Sequence, residues 1–108
     1  MSAQSEYDAA YFTMLRAIEE RDGLLRYREF LEAERTRLDA FSEETREVGV
    51  EVPERIRRTV DRTAKQLLEA VGRRRVVVLD ELARLDKRLS HAEAFVLECE
   101  TEVSTLRP

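Results

Sequence analysis

Residues 73–81 read Arg-Arg-Arg-Val-Val-Val-Leu-Asp-Glu, three cations and four apolar side chains running into two carboxylates. An apolar strand that ends in acidic residues can hold magnesium beside a nucleotide, and clustered arginines can bind phosphate. Nucleotide chemistry of that kind also needs a glycine-rich phosphate loop, GxxxxGK[ST], entering a helix after a strand. The three glycines, Gly23, Gly49 and Gly72, stand far apart and none precedes a lysine. Alternating strands and helices, which a parallel sheet requires, are also missing from the pattern. Asp80 and Glu81 are therefore expected to be a solvated helical turn, with no nucleotide site.

The other reactive side chains are sparse. His91 is the only histidine, and Glu93 beside it does not make the Glu-x-x-His spacing of a di-iron bundle site. Cys99 is the only cysteine, which excludes an intrachain disulfide and a cysteine zinc cluster. It falls on an apolar helical stripe, where a free cysteine acts as a small buried hydrophobe. The many carboxylates lie on long helices without the cleft that perturbs a catalytic group. No catalytic, metal-binding or cofactor-binding constellation is expected, and the chain is read as a non-enzyme.

Composition points the same way. The 108 residues are 39% charged and 43% apolar, with three glycines, two prolines and no tryptophan, a mix that favours long helices. No stretch approaches the ~18 apolar residues of a membrane span, and the N-terminal residues lack the pattern of a secretion signal. Together these suggest a cytoplasmic protein with no membrane insertion.

The net charge of −4 hides blocks of opposite sign. Residues 1–52 sum to −6, residues 53–75 to +5 and residues 76–108 to −3. The basic island carries Arg57, Arg58, Arg62, Arg73, Arg74 and Arg75, the candidate phosphate contacts if nucleic acid is the partner. Pairing with the acidic end of the first helix is the favoured use of these arginines. The overall charge is negative, and no aromatic residue falls inside the island to stack on bases.

The elements that position these residues follow from periodicity. Ser5 and Asp8 resemble a capping box, and apolar residues recur from Tyr7 to Val48 at steps of three or four, with a phase slip near Arg21–Gly23. Gly49 and Pro53 punctuate the chain. A second run extends from Ile56, and from Val78 to Leu106 its steps alternate four and three without a miss. The spacing predicts one all-α domain over 1–108, with helices at about 5–48 and 53–107 and a turn at 49–52. Joined so closely, the helices fold back as an antiparallel coiled-coil hairpin in which residue i faces about 102 − i.

A two-helix hairpin buries one stripe of each helix, and this chain has more apolar surface than that. Leu24, Leu25, Val76, Val77, Val78 and Leu79 form an expected oligomer belt, pairing two hairpins into a homodimeric four-helix bundle. Tyr7, Tyr11, Phe12, Leu15 and Phe95 form an expected patch for another protein. The function this implies is a protein–protein interaction module such as an adaptor, assembly chaperone or scaffold. A nucleic-acid-associated role is the alternative.

Overall fold

In the computed structural model, which describes residues 2–48 and 51–108, two helices account for nearly all of the chain. Helix α1 spans Ala3–Val48 and helix α2 spans Glu54–Leu106. There is no strand among the described residues. Both helices agree with the periodicity to within two residues, the usual latitude at helix ends.

Helix α1 starts two residues earlier than expected. The Ser2 hydroxyl accepts a hydrogen bond from the Ser5 backbone N–H at 3.2 Å, and the Ser2 carbonyl accepts from Glu6 N–H at 3.2 Å. Ser2 is thus the N-cap, with its carbonyl already inside the first helical turn. Of the expected turn, Gly49 and Val50 lie outside the described residues, while Glu51 and Val52 form a bend before Pro53. Proline disfavours helix at the residue before it and suits the residue that opens one, so α2 begins directly after Pro53.

Packing divides the chain into two compact units. The terminal unit comprises Met1–Glu29 and Ala83–Pro108. Here the two segments run antiparallel, and Leu85, Leu89, Val96, Cys99 and Val103 are buried on the α2 side. Ala17, Val96 and Cys99 form one core cluster, with Met14 and Ile18 packed against it. On α1 Tyr7, Ala10, Met14, Ala17, Arg21, Leu24 and Arg28, at alternating steps of three and four, are at least partly buried, and Ile18, Asp22, Gly23 and Leu25 beside them are partly buried too. The seam passes through small and charged residues at Ala10, Ala17, Arg21 and Arg28, while Tyr11 and Tyr27 stand beside it, exposed.

The hairpin unit is Phe30–Leu82. Leu31 and Val78 are its buried residues, flanked by the partly buried Leu38, Ala64, Leu68, Val71 and Leu82. Fully burying side chains such as Leu31 and Val78 contributes roughly 1.5–3 kcal/mol each. Arg75 takes the seam slot between Val71 and Val78 and is bonded to Asp39 at 2.9 Å.

The register differs from the expected one. In the hairpin unit Arg74 meets Glu34 and Arg75 meets Asp39, so partner numbers sum to 108 and 114 rather than 102. In the terminal unit Arg28 and Asp86 approach to 3.9 Å, a sum of 114, and Ala17 clusters with Val96 and Cys99. The pairings 38–64, 31–71, 14–89 and 7–96 are therefore displaced. The first residues of α2 lie beyond the level at which α1 ends. Five residues connect Val48 to Glu54 and can reach roughly 16–20 Å. That is enough to cross the ~9 Å between packed helices and to climb several residues along the axis.

Candidate functional site

The arginines divide into two groups. Arg74 donates from Nε and Nη2 to the two carboxylate oxygens of Glu34, at 2.6 and 3.0 Å, the bidentate geometry that a guanidinium favours. Hydrogen bonding to Arg74 holds the Glu34 carboxyl below the ordinary glutamate value, against the opposing effect of its partial burial. Arg75 bonds Asp39, and Arg57 donates to the Val52 carbonyl at 3.4 Å, bracing the start of α2. Arg58, Arg62 and Arg73 are exposed and make no ion pair among the described residues. The six candidate phosphate contacts are thus not one free basic stripe.

The residues expected to form an oligomer belt differ in exposure. Val78 is 0% exposed and belongs to the seam of its own hairpin, so it is not accessible to a second chain. The correction follows from the four-three period, which puts position 78 in line with Leu82 and Leu85. Val76 and Val77 are more than half exposed, and Leu79 is partly buried. Leu24 and Leu25, on the terminal unit's part of α1, are also partly buried.

The expected partner patch is two surfaces. Tyr7 and Tyr11 stack with ring centroids 6.2 Å apart, and Phe12 meets Tyr11 edge-on at 6.3 Å. Leu15, one turn after Tyr11, extends this group, and Phe12 is 63% exposed. Phe95 lies elsewhere, lining a shallow cleft of about 290 Å³ with Ala17, Glu20, Arg88 and His91. Glu20 and Tyr11 are about two and a half turns apart on α1, on opposite sides of the helix. Phe95 therefore flanks the seam on the side away from the tyrosines.

A third surface falls outside both expected sets. Phe41, Val48, Val60, Thr63 and Leu67 line an open groove of about 420 Å³ beside the hairpin-unit seam. Their recurrence along the chain reads as seam, which is how they count in the periodicity. In the structure Phe41, Val48 and Leu67 are exposed, and the seam proper passes through Ser42, Thr45, Ala64 and Leu68. The signal available in the sequence is the seven-residue interval from Val60 to Leu67 and from Phe41 to Val48.

Burial, with Glu102 and Glu98 nearby, pushes the Cys99 thiol up, which keeps it protonated and unreactive. Among the described residues no group of three His, Cys, Asp or Glu side chains could hold a metal ion. Among the described residues no helix is long and apolar enough to cross a membrane. What the arrangement can offer is contact: apolar flanks on paired helices, edged by fixed ion pairs.

Compared with protein-family models, with curated proteins and with solved structures, the chain matches none.

Proposed function

We propose that this chain is a non-enzymatic helical interaction module of the cytoplasm. It self-associates as a homodimer, building a four-helix bundle, and serves as an adaptor, assembly chaperone or scaffold for another protein. The observation that carries this reading is the surplus of apolar surface. Phe12, Phe30, Val48, Val76, Val77 and Leu97 are each more than half exposed, while the buried core of the described residues consists of eight side chains. Large exposed apolar groups on helices with a completed seam are the usual mark of an interface.

The test is mass in solution. Light scattering of the purified protein should give twice the chain mass of 12.6 kDa. A monomer at about 50 µM, where a micromolar complex would be populated, sinks the self-association reading.

Arg58, Arg62 and Arg73 give some support to the nucleic-acid alternative, since they are exposed and without acidic partners among the described residues. Binding of single- or double-stranded nucleic acid at about 50 mM salt that fades steeply as salt rises would favour it. Absence of binding there removes it.

A further inference from the structure

On one flank of the hairpin unit, Glu34, Phe41 and Val48 recur every seven residues along α1, and Val60, Leu67 and Arg74 do so along α2. The two series face each other in order. Glu34 bonds Arg74, and Phe41, Val48, Val60 and Leu67 share the walls of one groove. Phe30 and Val77, both more than half exposed, continue the flank towards the other end of the unit. This is a second heptad stripe beside the first on both helices, the pattern of a helix that packs against two neighbours.

We infer that this flank is occupied by a second copy of the chain, related by a two-fold axis parallel to the helices. The inference rests on the self-association reading above and names the face and the symmetry it uses. Two features argue for a copy. The first is charge. Between Phe30 and Val48, α1 carries six acids against three bases, a sum of −3. Between Glu54 and Leu82, α2 carries five acids against eight bases, a sum of +3. A two-fold parallel to the helices sets α1 of each copy beside α2 of the other, so that acidic and basic helices alternate around the four-helix square.

The second is level. Rotation about an axis parallel to the helices leaves each residue at its own height. The groove residues Phe41 and Leu67 then meet Leu67 and Phe41 of the copy, and Val48 and Val60 meet in the same way. The Glu34–Arg74 pair becomes a ring of four alternating charges, in which each carboxylate lies between two guanidinium groups. Arg74 keeps a side-chain exposure of 49% beside Glu34. A two-fold perpendicular to the helices would instead set α1 against α1 and bring its acids together.

The experiment combines solution mass with cross-linking, in a Cys99→Ala background so that any introduced cysteine is the only thiol. Wild type should have twice the chain mass, and Leu67→Asp and Val77→Glu should each reduce it to the single-chain mass with helicity kept, because both residues stand outside the seam. Glu44 and Thr63 line the same groove at its rim. Glu44→Cys chains mixed with Thr63→Cys chains should give mixed disulfide dimers on mild oxidation, in excess of either like-with-like dimer. These rim substitutions keep the test independent of whether Leu67→Asp folds. A wild-type monomer overturns the self-association reading together with this one and leaves the flank to a different partner. A wild-type dimer that survives both Leu67→Asp and Val77→Glu overturns only this face. A dimer whose main cross-link is Glu44→Cys with itself overturns the axis.

Discussion

Arg74 and Glu34, forty residues apart in sequence, hold each other through two hydrogen bonds of 2.6 and 3.0 Å. The bond joins the helices of the hairpin unit at one height and lowers the proton affinity of the carboxylate.

Its contribution should depend on pH in a definite direction. A carboxyl depressed in the folded chain stabilises above its unfolded value, about 4.3 for glutamate, and that stabilisation is lost as pH falls through the lower folded value. Glu34→Gln should therefore melt below wild type at pH 7, and the two curves should converge as pH drops below about 4. Thermal denaturation followed by circular dichroism at several pH values measures this. A gap that stays constant to pH 3 rules out the ionised pair as its source.

Leu85 is 0% exposed in the terminal unit. Leu85→Ala should destabilise by roughly 2–5 kcal/mol, the range for deleting a buried leucine side chain. Urea denaturation gives the number. A loss under 1 kcal/mol would mean that the site is open to solvent and the terminal seam is looser than described.

Gly72 lies inside α2 with a helical backbone, and a Cβ added there meets no heavy atom within 4 Å beyond its chain neighbours and the surrounding backbone of its own helix. Gly72→Ala should raise stability by about 0.5–1 kcal/mol, since alanine loses less backbone entropy in a helix. The same denaturation series tests it. No change, or a decrease, would show that something in the folded protein needs this position bare.

Cys99 is buried and its thiol is pushed up by that burial and by Glu102 and Glu98. A neutral, water-soluble thiol reagent should label it far more slowly in native protein than in urea, with the native rate following local opening. Labelling at the rate of a free thiol would place Cys99 at the surface.

The extent of each helix was legible because its evidence is local: Pro53 opens α2, and the apolar steps from Val78 to Leu106 keep one face inward. The path of the α1 seam was less legible. Ala17 is buried, Arg21 is partly buried and Arg28 approaches Asp86 on α2, yet the neighbouring Ile18, Leu25 and Tyr27 carry the stronger apolar signal. The groove was hidden by its own regularity, since Phe41 and Leu67 obey the spacing that seam residues obey. Charge pairing could be anticipated as a block, acidic against basic. Which arginine would meet which acid depended on the height at which α2 begins, a quantity that no local pattern encodes.

A repeating apolar stripe would fit its neighbour nearly as well after sliding by one repeat, as a ruler matches another at every division. Arg74 and Arg75 remove that freedom. Slide α2 by seven residues one way, and Glu34 faces Leu67 while Asp39 faces Leu68. Slide it the other way, and Glu34 faces Glu81 while Asp39 faces Leu82. Only the observed alignment gives both carboxylates a cation, so these two contacts act as a combination that a misaligned hairpin fails to match.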